Sequence, residues 1–188
     1  MRTVCSSGVP AAGSDPVLTV YLARHGQTEE NLARVFQGQL PGQLTDEGRR
    51  QAVELGRQLR EVRIDAVVSS DLQRVTDTVR LAVGDRRLPW EQSSLFREAD
   101  WGSWTGLPFD GVDRSCPPAD AETPRQLYER AGQCVAYLRR QYAGRTVLVV
   151  SHGLVGRSIE AWLRGVPMDA LRSVPFLQNA EVRRFRVT

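Results

Sequence analysis

Val17-Leu18-Thr19-Val20-Tyr21-Leu22-Ala23-Arg24-His25-Gly26-Gln27-Thr28 is an apolar run that breaks into an Arg-His-Gly turn. The β-favouring residues at its start predict a buried strand over 17–22. In an open α/β sheet, ligands bind at the carboxyl ends of parallel strands, where strands stop and helix N-termini with free N–H groups begin. On this reading the strand carries Arg24 and His25 to the edge where chemistry is done. The pattern recurs once. Thr146-Val147-Leu148-Val149-Val150-Ser151, a second β-favouring run, is followed by His152 and Gly153, and the chain holds only 2 histidines.

The stretches between these strands predict alternation. After a short helical stretch over 29–36 and a loop over 37–43, Thr45 caps a helix with Ala52, Leu55, Leu59 and Val62 on one face. Ile64 to Ser69 reads as a second strand, and Ser70 as the cap of a helix carrying Leu72, Val75, Val79 and Ala82. Residues 90–96 predict a short strand ending at Arg97-Glu98. From Asp100 to Glu122, glycines, prolines, Trp101, Trp104 and Phe109 describe an irregular flap with aromatic anchors. Thr123-Pro124-Arg125-Gln126 combines a capping Thr, Pro at the first helical position and Gln at the capping-box position. A helix over 154–164 and an alternating edge strand over 180–187 complete the chain. The expected fold is α/β, a three-layer α/β/α arrangement with a mainly parallel central sheet and a small irregular flap over its C-terminal edge.

The chain has 188 residues, of which 41% are apolar and 25% charged, with a net charge of +3 carried entirely by arginine. No apolar run approaches the roughly 18 residues of a membrane span, and no basic stripe interleaved with aromatics suggests a nucleic-acid surface. Cys5, Cys116 and Cys134 have no zinc-like spacing and are odd in number, so a reducing cytoplasm fits best. Residues 1–16, rich in Ser, Gly, Ala and Pro, read as a mobile tail. Residues 17–188 read as a single catalytic domain. Oligomeric state is not legible.

If the strands are parallel neighbours, Arg24, Arg74, His25 and His152 converge on one sheet edge. Such a pocket suits a dianion, and a phosphate monoester is the leading ligand, since arginine forks match its oxygens. A neutral imidazole is a competent nucleophile toward phosphorus, and arginines neutralise the equatorial oxygens without a metal. The leaving alkoxide needs a proton. Glu98 is the expected donor, because it follows the predicted strand beside the aromatic flap, whose apolar surroundings suit a proton-donating carboxyl. Cys134 and Arg140 have the spacing of thiol phosphatases but fall mid-helix on an apolar face, which argues against a reactive thiol.

Leu22 to Thr28 with Asn31, Phe36-Gln37-Gly38, Leu44-Thr45-Asp46-Glu47-Gly48, Ser69 to Arg74, Arg97-Glu98 with Gly102-Ser103-Trp104, and Val149 to Gly153 together resemble the histidine phosphatase superfamily, or phosphoglycerate mutase-like family. The resemblance implies that His25 is the nucleophile, Glu98 the proton donor, and Arg24, Arg74 and His152 the phosphate clamp. It further implies a pocket contact at Asn31 and no metal; Gln37, Gly38 and, from the flap, Trp101 are the other candidate substrate-binding residues, and no cofactor is expected. The chain departs from the family pattern at Thr105, where Glu is usual, and over 119–123, where a Gly-Gly-Glu-Ser type segment is usual. Both lie in or beside the flap, where substrate contacts are expected. The expected activity is a metal-independent phosphomonoesterase acting on a small phosphorylated metabolite. A phosphoglycerate-type mutase and a catalytically silent phosphate-binding module are the alternatives. Mutases of the family tend to carry longer insertions than the 54 positions that separate Glu98 from His152 here.

Overall fold

The computed structural model describes residues 16–187, so all but Pro16 of the expected N-terminal tail, and Cys5 with it, lie outside the described residues. Five strands form one sheet: β1 (Leu18–Arg24), β2 (Ala66–Ser69), β3 (Trp90–Gln92), β4 (Thr146–Ser151) and β5 (Val182–Val187). The order is β3-β2-β4-β1-β5, with the first four strands parallel and β5 antiparallel at the edge. This is the expected mixed α/β architecture with a mainly parallel sheet.

Alternation along the strands sorts the core into two layers. Leu18, Val20, Leu22, Val147 and Val149 pack on one face against Leu127, Ala131 and Leu138 of α4 (Pro124–Tyr142) and Val155 and Ile159 of α5 (Gly153–Arg164). Ala23, Leu148 and Val150 point the other way, to Leu55 of α2 (Asp46–Gln58) and Val75 and Val79 of α3 (Gln73–Val83). No helix among the described residues is long and apolar enough to cross a membrane.

Local chemistry sets the element ends. Thr45 caps α2 by accepting from the Gly48 N–H, and Thr123 with Gln126 forms the reciprocal capping box that starts α4. Several expected boundaries move; β2 and β5 each begin two residues later than expected, at Ala66 and Val182. The first strand runs on to Arg24, because its pairing with β4 continues to Ser151. The short helix α1 (Glu29–Ala33) stops early at Arg34, which adopts the left-handed conformation (φ 56°). The strand expected over 90–96 ends at Gln92, because the Ser93 side chain accepts from the Leu95 N–H and tightens 94–96 into a 3-10 turn. Ser70 does not cap α3 directly; the helix begins at Gln73, and the Ser70 hydroxyl accepts from the Leu72 N–H.

Inserting β4 between β2 and β1 is what builds the site. The pairs Arg24↔Ser151 and Ser69↔Val150 align the strand ends, so the residues that follow, His25, His152 and Ser70, emerge side by side.

Candidate active site

His25 and His152 meet edge to face, with ring centroids 5.3 Å apart. Both are buried, and their imidazoles are differently tied. Nδ1 of His25 donates to the Gly26 carbonyl at 2.7 Å, which leaves Nε2 unprotonated and without a partner among the described residues. Burial, reinforced by the charges of Arg74 and Arg24, holds the His25 pKa well below the ordinary histidine value. The ring is thus neutral at pH 7, with a free lone pair. Its carbonyl accepts from the Ala180 N–H and from Asn179 Nδ2, which also reaches Asn31 Oδ1. The expected helix over 29–36 did not suggest this tether, because 174–181 carries no periodic signal.

His152 is held on both sides. Arg74 donates its Nε–H to Nδ1 at 3.2 Å, so Nε2 bears the proton and donates to the Ser70 hydroxyl at 2.8 Å. Burial, then Arg74, push the His152 pKa well down too. His152 packs behind His25, outside the ring of residues bordering the cavity, with both ring nitrogens engaged by protein.

The two arginines of the expected clamp differ as well. Of the five N–H donors of a guanidinium, Arg74 commits four, to His152 and to the carbonyls of Gly38, Leu40 and Pro41. It is buried, and its pKa is lowered to about 10 by desolvation against the pull of Glu98 and Glu30. Its site is cut into the 38–42 loop, where Gly42 has φ +71° and a Cβ there would lie 2.9 Å from Arg74 Cδ. Arg24 is freer. Its Nη1 donates to the Leu177 carbonyl, and its Nε is buried with no partner. Burial lowers the Arg24 pKa, opposed by Glu98. An unpaired buried guanidinium N–H is costly and calls for an anion.

Glu98 borders the same cavity as Trp101 and Phe109 of the flap. Its carboxyl is not left to apolar side chains. Instead Oε1 accepts from the Ala99 and Val155 N–H groups and Oε2 from the Leu154 N–H, all at 3.0 to 3.1 Å. The carboxyl therefore occupies the N-terminus of α5. Arg130 fixes the backbone there, donating to the carbonyls of Leu95, Arg97 and Glu98 while pairing with Glu122 through two bonds of 2.7 Å.

These groups border a cavity of about 260 Å³. Arg24, His25, Arg74 and Glu98 form its polar end, with Asn31, Gln37 and Gly38 beside them. Gln37 is buried and bonded to Thr28 and Glu30, and Asn31 forms a capping box with Thr28. Trp101 borders the cavity as expected, together with Phe109 and with Phe176, which the sequence did not single out. Phe36 backs this wall, 4.7 Å from Trp101 and 4.8 Å from Phe109 between centroids. A larger groove of about 680 Å³ along α2 is an open, charged surface without a histidine. Cys134 is inert, its thiol buried and pushed up to about 12. No cluster of three or more His, Cys, Asp or Glu side chains among the described residues is arranged to hold a metal.

Comparison with known proteins places this geometry. Residues 20–188 match the profile of the Histidine phosphatase superfamily (branch 1). The glucosyl-3-phosphoglycerate phosphatase of Mycolicibacterium vanbaalenii is 33% identical over 174 residues, covering 81% of this chain and 77% of that protein. The probable phosphoglycerate mutase GpmB of Salmonella arizonae is 30% identical over 183 residues, covering 89% and 84%. The solved structure of Bacillus stearothermophilus YhfR superposes with a TM-score of 0.82 at 30% identity, over 89% of this chain and 90% of that one. With a family profile matched across nearly all of the sheet and its helices, the chain belongs to the histidine phosphatase superfamily.

Proposed function

We propose that the protein is a phosphomonoesterase that works through a phosphohistidine on His25. The observation that carries this is the His25 tautomer: Nδ1 is tied to Gly26, and Nε2 is left free in a cavity bounded by two guanidiniums. In the first half-reaction Nε2 attacks phosphorus, the ester P–O bond breaks, and Glu98 gives a proton to the departing alkoxide. In the second, Glu98 takes a proton from water, whose oxygen attacks phosphorus and breaks the P–N bond, releasing inorganic phosphate. Arg24, with its unpartnered Nε, supplies donors to the equatorial oxygens, and Arg74 supplies charge and its one uncommitted N–H. His152 carries no free nitrogen, so its part is to hold Arg74 and pack against the nucleophile.

Each step is carried by a side chain, so activity should survive a chelator. Rapid quenching with a labelled monoester should trap an acid-labile, alkali-stable phosphoenzyme that His25→Ala abolishes. Persistence of that species in the variant would refute the assignment. A mutase reading is favoured by the similarity to a probable phosphoglycerate mutase. Efficient interconversion of 2- and 3-phosphoglycerate would establish it over hydrolysis.

A further inference from the structure

Beyond its phosphate end, the cavity changes character. Apart from Gly153, its remaining wall is Val35, Trp101, Phe109, Leu154 and Phe176, and the only cations bordering it among the described residues are Arg24 and Arg74. Both of these flank His25 and are matched there by the phosphoryl group and by Glu98. A second anionic group on the substrate would find no further cation among the residues bordering the cavity, and its desolvation would go uncompensated by charge.

Two further guanidiniums stand on the rings of this wall. Arg157 lies over the ring of Phe176 at 4.5 Å, with its Nε buried and without a partner among the described residues, and Arg114 lies over that of Phe109 at 5.4 Å. Neither borders the cavity. Each sits on a ring, a cation–π arrangement that steadies the aromatic wall. Phe176 is nevertheless 42% exposed, a large apolar surface left open at the site. At about 260 Å³ the cavity is slightly smaller than the roughly 300–1,000 Å³ of drug-sized ligand pockets.

Resting on the phosphomonoesterase reading, we propose that the substrate is a monoester whose alcohol carries an aromatic ring and no second anionic group. The ring is taken up by Trp101, Phe109 and Phe176, and the phosphoryl group by the histidine end. Phosphoglycerates, which pair a carboxylate with the phosphate, are poor substrates on this geometry.

The test compares kcat/KM for 2-phenylethyl phosphate, ethyl phosphate and 3-phosphoglycerate, the first two being esters of alcohols of similar acidity. The ring should raise kcat/KM over ethyl phosphate by about tenfold or more, the discrimination an apolar pocket gives. Phe176→Ala and Phe109→Ala should each lower that ratio. Equal turnover of the two alkyl esters overturns the inference while leaving the phosphatase reading in place. So does faster hydrolysis of 3-phosphoglycerate, above all if Arg114→Ala or Arg157→Ala abolishes it, which would show an arginine leaving its ring to meet the carboxylate. If no ester yields phosphate and no phosphoenzyme forms, the phosphatase reading itself falls, and the substrate class with it.

Discussion

The Nε–H of Arg74 points at Nδ1 of His152 from 3.2 Å, and this one bond decides which imidazole nitrogen carries the proton. The proton is forced to Nε2, whose acceptor is Ser70 Oγ. Ser70→Ala leaves a buried N–H with nowhere to go, at a cost of about 1–3 kcal/mol. Urea unfolding measures it. A change under about 0.5 kcal/mol, the range of neutral surface substitutions, would mean that the bond contributes nothing.

Both histidines titrate well below their ordinary value in the folded protein, His25 and His152 each chiefly through burial. In the unfolded chain they titrate near 6.5. The unfolded state therefore binds more protons in the window between 6.5 and the folded values. Stability is complete above pH 6.5 and is lost as pH falls through that window, by about 1.4 kcal/mol per pH unit for each histidine. Unfolding free energies at pH 7, 6 and 5 should show this slope, reduced by one proton in His25→Asn. An unchanged slope in that variant would count against a neutral buried imidazole.

Glu98→Gln places an amide N–H against one of the backbone N–H groups that Glu98 now accepts from, and removes the proton that the alkoxide needs. With alkyl esters kcat should fall by about 10²–10⁴, the usual contribution of a general acid. With p-nitrophenyl phosphate, whose leaving group needs no proton, phosphoenzyme formation should be nearly unimpaired. An equal loss on both esters would remove Glu98 from the proton-transfer role.

Arg130 does not border the cavity but holds three carbonyls of the 95–98 segment. Arg130→Lys gives up most of these bonds and the paired contact with Glu122. Stability should fall by about 1–3 kcal/mol as the carbonyls lose donors. If Arg130 positions Glu98, the kcat loss should also grow with the basicity of the leaving group, as for Glu98→Gln. A loss uniform across leaving groups would assign it a structural part alone.

Two glycines should separate fold from function. A Cβ on Gly26 would lie 2.3 Å from the Gly48 carbonyl oxygen, so Gly26→Ala should displace the loop behind His25 and destabilise the protein. A Cβ on Gly153 would stand 3.5 Å from Glu98 Oε2 and 3.6 Å from the Arg24 guanidinium, ordinary contact distances. Gly153→Ala should therefore fold at least as well as the parent, with a gain of about 0.4–1 kcal/mol, and bind inorganic phosphate or vanadate more weakly. Undiminished vanadate inhibition would show that the ligand does not approach Gly153.

The sheet and both histidines were legible because each sits at the end of an apolar β-branched run before a glycine, a signal local in sequence. Arg74 was legible only from the Ser-Ser-Asp-Leu-Gln-Arg context, since a helical arginine usually faces water. What escaped notice depends on distant partners. Ser70 looks like a cap, and only the crossing of β4 beside β2 makes it the acceptor for His152. Phe176, Leu177 and Asn179 lie in a segment without period, yet the loop carries them to the cavity wall, to Arg24 and to the His25 carbonyl. The backbone donors to Glu98 were not legible for the same reason, because helix α5 begins more than fifty positions later in the chain.

The turn before the antiparallel strand β5 supplies the carbonyl that Arg24 leans on and the two donors that grip the His25 backbone. A chain that stopped before that turn would keep His25, both arginines and Glu98 but lack these three contacts, so the geometry at the end of the first strand is completed only by a segment more than 150 positions later.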